Sequence, residues 1–526
     1  MIALRSLYIT ARALSFTFAS FIAVMHSAEF NLETATVADI KAAMDAGALT
    51  SEKLVGLYLK RIEAYDQAGP KINSIVTLNA KALETARELD AERKATGPRS
   101  PLHGVPVVLK DLFDTKDMPT SSGFLPLKDS VPIHDATVVQ RLRDAGAIIL
   151  AKVNMSDWFG VPKLGDQSTV LGRTLNPYNP DITPGGSSGG TGAALAAAFG
   201  HVGLGSETGV SIRNPTANNS LVGLAPTRGL ISRTGVVMTS FTQERAGPMA
   251  RTVYDVAVLT DIVSGFDAED LLTITTPGRK PKGSYTQFLD KEGLRGARIG
   301  VFRDLFRKGE KHAEGTALIE AGIKQMQEAG AIIVDNVSLG IDLFALLDEH
   351  GGMRTNIYES QFSYDLYFRR LGPNAVIKNM DELVAYGELV KPSIRKAYAE
   401  YRSIDHHPDF IARRDTQEML TAAIIELMDK YKLDALVHPF KTLPPEGHTE
   451  RVTEKDNSLS SVTGLPAVLV PAGYTKKENG PISIEFLGRP YSEPVLFKLA
   501  YAYEQKSLNR KPSPLAPSLP GEKFTY

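Results

Sequence analysis

Short apolar runs of four to seven residues alternate with helix-period segments through most of this chain, and that alternation constrains the fold more than any other feature. Residues 105–109 read as a strand, 137–144 as a helix and 147–151 as the next strand. Further strands are expected at 298–302, 331–335, 435–438, 466–470 and 482–487, with helices at 315–330 and 416–431. Strands apolar throughout are buried on both faces, which calls for helices on each side of a mostly parallel sheet. The expected fold is therefore α/β. Helices precede the sheet: Thr36 and Asp39 have the spacing of a capping box, with Gly47 as a stop. Ser51 is placed to cap a second helix carrying Leu54, Leu57, Tyr58, Ile62 and Tyr65, and 80–94 forms a third, mostly polar one. Residues 340–415 are aromatic-rich and follow neither period, and the Pro- and Ser-rich tail beyond Lys511 is expected along the surface. Residues 277–284 offer a candidate boundary, but the strands beyond them still read as members of the sheet, so 29–526 is taken as one large domain.

A chain of 526 residues buries a large core without metal or disulfide support. Its 59 basic and 60 acidic side chains argue against nucleic acid, because phosphate binding needs a clustered positive field. It has no cysteine, which excludes disulfides, thiolate catalysis, Cys-ligated zinc and iron–sulfur clusters. Arg5 and Arg12 precede an uncharged, apolar stretch from Ala13 to Met25, and the first acid is Glu29. This order reads as a secretory signal peptide cut after Ala28, with His26 where a small residue is preferred. Export to a periplasmic or extracellular space follows; the alternative is an uncleaved amphipathic helix or anchor on a cytoplasmic protein. The stretch is shorter than the roughly 20 residues needed to span a bilayer, and no stable membrane association is expected.

Three segments carry candidate chemistry. In the first, His103-Gly104-Val105-Pro106-Val107-Val108-Leu109-Lys110-Asp111, a lysine closes an apolar strand. Burial there lowers its pKa by penalising the charged form; a lysine pointing to solvent is the plain alternative. The second, Pro184-Gly185-Gly186-Ser187-Ser188-Gly189-Gly190-Thr191-Gly192, frames two hydroxyls with glycine pairs ahead of an Ala-rich helix. It lacks the Gly-Lys-Ser/Thr of a phosphate loop, and Pro184 fits poorly with the strand a nucleophile elbow requires. The third, Gly203-Leu204-Gly205-Ser206-Glu207-Thr208-Gly209-Val210-Ser211-Ile212-Arg213, places a serine in a tight loop after a short strand, where backbone N–H groups can form an oxyanion hole.

Taken together, Gly185 to Gly190, Ser211-Ile212-Arg213 at a 24-residue serine spacing, and the Gly104 to Asp111 strand resemble the amidase signature family. The likeness continues through 222–230, 246–253, 463–467, 471–473 and 487–489. It implies a single α/β/α domain around a large, mixed, twisted sheet. It implies a Ser–cis-Ser–Lys triad, with Ser211 as nucleophile, Ser187 as bridging serine after a cis Gly186–Ser187 bond, and Lys110 as base. The oxyanion hole would use the backbone of Thr208, Gly209, Val210 and Ser211. Trp158 falls where the family's substrate channel begins, and Phe124 and Met155 are assigned with it; core packing is the alternative. Ser188 and Arg213 are expected to shape loops rather than react. Val210 replaces a common glycine, which questions the loop's geometry, and Glu207 replaces a common aspartate.

The activity so implied is hydrolysis of a small carboxamide or N-acyl amine, with a small-molecule amide as partner and no cofactor. Two other readings stand beside it: the A-type subunit of the glutamyl-tRNA amidotransferase, which shares the triad, and a silent binding protein on the same scaffold. His103, His134, His201, His438 and the pair His406-His407 lack zinc-ligand spacing with carboxylates, so no metal is expected.

Overall fold

The computed structural model describes residues 28–162, 167–348, 353–373, 375–400, 407–447, 457–476 and 478–526. The expected signal segment up to residue 27, and His406, lie outside them. Thirteen strands occur among the described residues. They are β1 (Glu29–Asn31), β2 (Ile75–Leu78), β3 (Pro106–Lys110), β4 (Ile148–Val153), β5 (Val202–Glu207), β6 (Val222–Ala225) and β7 (Arg245–Ala250). The remainder are β8 (Arg298–Phe302), β9 (Ile332–Val337), β10 (Ala435–Pro439), β11 (Ala467–Tyr474), β12 (Pro481–Leu487) and β13 (Lys523–Thr525). Eleven form one sheet in the order β2-β4-β3-β5-β7-β6-β11-β12-β10-β8-β9, and β1 pairs with β13.

The sheet is mixed, as expected, but its parallel part is smaller than the sequence suggests. Parallel pairing is confined to β4-β3-β5 and β10-β8-β9. All other neighbours, from β5 through β7, β6, β11 and β12 to β10, run antiparallel, as does β2 against β4. The apolar runs record burial on both faces, and helices impose that burial whichever way the strands point. The helix Gly189–Ala196 packs on β3 and β5, Val253–Val263 on β7, Ala313–Glu328 on β11 and β12, and Glu493–Ser507 on β11.

The helix starts follow their local chemistry. Thr36 and Asp39 form the capping box: Asp39 N donates to Thr36 Oγ1 at 3.2 Å and Thr36 N to Asp39 Oδ2 at 2.8 Å. The second helix, Ser51–Ile62, is capped one residue earlier than expected, by Thr50, whose Oγ1 accepts from Lys53 N at 3.1 Å. Ser51 lies inside the first turn, its amide on Asp90 at 2.7 Å. The middle segment is helical, over Leu343–Asp348, Asn356–Arg370, Met380–Val384, Pro392–Glu400 and Pro408–Lys430. In Asn356–Arg370 the periodicity is carried by aromatic and small polar residues: Tyr358, Ser363, Tyr364, Tyr367 and Phe368 form its buried stripe. The tail is pinned rather than loose. Arg61, fully buried, donates to the carbonyls of Ala197 and Ala516 and to Glu522 Oε2 at 2.6 Å.

Candidate active site

Pro106 to Lys110 form β3, whose five residues are all buried between β4 and β5. Lys110 is therefore 0% exposed rather than pointing to solvent. Its Nζ donates to Ser187 Oγ at 2.7 Å and to Ser206 Oγ at 3.0 Å. Burial lowers its pKa to about 7, with the charges of Glu244 and Glu207 pulling the other way. The neighbouring strand provides a contrast. Lys152 of β4 is equally buried but sits 3.2 Å from Asp111 and donates to Thr120 Oγ1 at 2.8 Å, an ion pair inside the core.

Ser187 lies on the Gly-rich loop ahead of the buried helix Gly189–Ala196. The Gly186–Ser187 peptide bond is cis, as the resemblance implies. Two glycines are fixed by close approach. A Cβ on Gly190 would meet the Asn154 carbonyl oxygen at 2.2 Å, and one on Gly185, at φ +77°, would meet Asn214 Oδ1 at 2.1 Å. Trp158 Nε1 donates to Ser187 Oγ at 3.3 Å, and its ring lies 5.3 Å from Lys110 Nζ. Ser188 turns away from this cluster: its Oγ donates to Ser206 O and accepts from Ser206 N, both at 3.3 Å, and so ties the loop to β5.

Ser211 stands half-buried on the loop after β5. Asn214 clamps this loop to the one bearing Ser187, with its Oδ1 accepting from Gly186 N at 3.1 Å and its N donating to Val210 O at 2.7 Å. The loop's carbonyls are turned into the protein: Thr208 O accepts from Gln243 Nε2 at 3.4 Å and Gly209 O from Arg213 at 3.0 Å. The amides of Gly209, Val210 and Ser211 and the Ser211 hydroxyl make no hydrogen bond among the described residues.

The loop is held from below by Glu207. Its Oε2 accepts from the amides of Ile212 at 3.1 Å and Arg213 at 3.0 Å; its Oε1 accepts from Arg213 Nε at 2.9 Å and Arg245 at 2.7 Å. Burial raises the carboxyl's pKa, but Arg213 and Arg245 outweigh it and hold Glu207 below the usual range. Arg213 also reaches Glu485 at 3.1 Å, so its role is the expected structural fork. Val210 is absent from the residues of positive φ, and it packs beside Ala217, Phe440 and Leu469. The loop thus accommodates a β-branched side chain where a glycine is common.

Lys110, Ser187 and Trp158 are brought together, with Ser211 on the clamped neighbouring loop. Phe124 and Met155, at 1% and 2% exposure, lie in the core, and the Phe124 ring contacts Phe159 and Tyr386. Sequence reasoning missed two residues. Ser206 shares Lys110; its signal is a hydroxyl one residue from the end of the strand next to β3. Glu244, buried beside them, lies in no local pattern that reveals it.

The Amidase family model matches residues 53–497. The chain belongs to the amidase family. It is an amidase, a hydrolase. A peptide amidase from Stenotrophomonas maltophilia is 35% identical, covers 91% of this chain and 98% of its own, and superposes with a TM-score of 0.83. An Arabidopsis thaliana protein named as a probable amidase is 34% identical over 96% of each chain. A glutamyl-tRNA(Gln) amidotransferase subunit of Myxococcus xanthus is 32% identical over 91% of this chain and 99% of its own.

Proposed function

We propose that this amidase cleaves a carboxamide or N-acyl amine bond through an acyl-enzyme on Ser211, with Ser187 as proton relay and Lys110 as base. The observation that carries the reading is Lys110 Nζ, fully buried and 2.7 Å from Ser187 Oγ. A serine hydroxyl is a weak nucleophile until a base takes its proton. A solvated lysine is protonated at neutral pH and cannot serve; the buried one, with a pKa of about 7, is available as a neutral amine. Ser211 attacks the carbonyl carbon as its proton passes to Ser187 and the Ser187 proton to Lys110. The oxyanion that forms is received by the unengaged amides of Gly209, Val210 and Ser211, with Thr208 beside them. The proton then returns through Ser187 to the departing amine, the C–N bond breaks, and water repeats the sequence on the ester to release the acid. Trp158 Nε1, donating to Ser187 Oγ, orients the relay.

A free-standing hydrolase is favoured over an amidotransferase subunit by the likeness to the peptide amidase at a TM-score of 0.83. C-terminal amides of short peptides therefore head the substrate panel, followed by simple carboxamides and anilides. Ammonia transfer to charged tRNA, appearing only with partner subunits, would favour the alternative. The basic and apolar N-terminal stretch supports export, and N-terminal sequencing of the expressed protein tests cleavage after Ala28. The mechanism is tested with Lys110→Met and Ser211→Ala. Each is expected to lower kcat by about 10³-fold or more with folding retained; a folded variant of either that keeps its rate would overturn the triad.

A further inference from the structure

Lys110 has a second hydrogen bond that the relay does not use, to Ser206 Oγ at 3.0 Å. Ser206 is the penultimate residue of β5, which runs antiparallel to β7 with Glu207 opposite Arg245. The residue just before β7 is Glu244, whose side chain is completely buried. Its Oε2 accepts from the Thr208 hydroxyl and, at 3.5 Å, from Thr239 N. Its Oε1 is buried without a hydrogen-bond partner among the described residues. The Ser206 hydroxyl and the charge of Lys110 both act on this carboxyl.

Two buried carboxyls thus face Lys110, and they differ in what holds them. Glu207 is bonded to two guanidiniums, those of Arg213 and Arg245. Glu244 is held by hydroxyls and an amide. We propose that Glu244, facing Lys110 across Ser206, is a positioning residue: it supplies the counter-charge of protonated Lys110 and so sets how readily Lys110 takes the proton of Ser187. This rests on Lys110 being the base. Acylation moves a proton from Ser211 through Ser187 to Lys110 and leaves an ammonium in the interior, and an opposite charge nearby stabilises that ammonium. Other groups face the pair. Glu207 stands beside Lys110 with its two arginines, and the Trp158 ring lies 5.3 Å from Nζ. Tyr364, on the helix Asn356–Arg370, feels the charge of Glu244, and Arg354 packs against Gly209. Burial pushes the Glu244 carboxyl up, against the Thr208 hydroxyl and the Lys110 charge, so the two groups titrate together.

The test is the pH profile of kcat/KM for Glu244→Gln and Glu244→Asp. Without the counter-charge Lys110 is a weaker base. Glu244→Gln is expected to move the acid limb to lower pH by about one unit or more and to lower the plateau kcat. Glu244→Asp, which keeps the charge, is expected to restore the limb towards its original position. A folded Glu244→Gln enzyme whose limb has not moved would overturn the proposal. If that variant fails to fold, Glu244→Met carries the test: it removes the same charge without burying an unpaired amide and is expected to shift the limb in the same direction, and an unmoved limb overturns the proposal equally. Lys110→Met in the same series separates the two levels. Activity retained there removes Lys110 as base. Activity lost there, with the Gln limb unmoved, removes only the role of Glu244.

Discussion

Lys110 concentrates the chemistry in one side chain, because burial penalises its charge by more than the facing carboxyls of Glu244 and Glu207 restore. Its pKa of about 7 fixes the pH dependence. The neutral amine is the competent form, so kcat/KM is expected to rise as pH increases through about 7 and to level off above it. A profile flat from pH 5 to 9 (about two units either side of that value) would contradict a titrating base. Val210 gives a second residue-scale prediction. Its φ is not positive, and it packs beside Phe440 and Leu469, so Val210→Gly loses apolar contact and adds backbone entropy to the unfolded chain. A loss of about 1–2 kcal/mol in denaturant unfolding is expected, with no gain in rate. Unchanged or higher stability would mean the loop is strained by valine after all. Lys110 was legible as a candidate because a charge closes an apolar strand, and the family resemblance, not the strand alone, set it above a lysine pointing to solvent. Glu244 was not, because what makes it notable is a neighbour 134 positions away in sequence, across two ladders of the sheet.

Among the elements, β5 and β7 carry the loop that bears Ser211. The joint between them is Glu207 with Arg213 and Arg245, all buried. Removing one partner of such a cluster leaves uncompensated charge, and Glu207→Gln is expected to destabilise the fold by about 3–5 kcal/mol in denaturant unfolding. It is also expected to lower kcat in the protein that remains folded, since glutamine offers one oxygen where Glu207 offers two, and its NH2 group must face either the amides of Ile212 and Arg213 or the two guanidiniums. Wild-type stability would show that the cluster is dispensable. The strands that announced themselves, such as β3, β4 and β11, each carry a run of four apolar residues, Pro-Val-Val-Leu, Ile-Ile-Leu-Ala and Ala-Val-Leu-Val. β6 and β7 did not, because Val-Gly-Leu-Ala and Arg-Ala-Gly-Pro-Met-Ala break the run with glycine, proline and charge, yet every residue in them is buried. The helix Asn356–Arg370 was hidden for a related reason: its buried face is built from tyrosine and serine rather than leucine.

Across the whole molecule, the first and last strands of the described residues meet. β1 pairs with β13, and Arg61 holds the tail through Ala516 and Glu522 beside it. Arg61→Ala is expected to free the segment beyond Lys511, seen as new cleavage there in limited proteolysis and a lower Tm; an equally resistant tail would contradict the pinning. The alternation of apolar runs with helical segments carried the fold class, and the lysine strand with the two glycine- and serine-rich segments carried the family resemblance. The strand order did not follow from them, because neighbours such as β6 and β11 are separated by more than 240 residues and pairing at that distance leaves no local mark. Activation of Ser211 by Lys110 through Ser187 underlies every step of the proposed chemistry. It is read out by peptide mapping after exposure to a serine-directed acylating or phosphonylating reagent, in the wild-type enzyme and in Lys110→Met. A single adduct on Ser211, lost in the lysine variant, is the predicted result; an adduct on Ser187 or Ser188, or undiminished labelling of Lys110→Met, would contradict it.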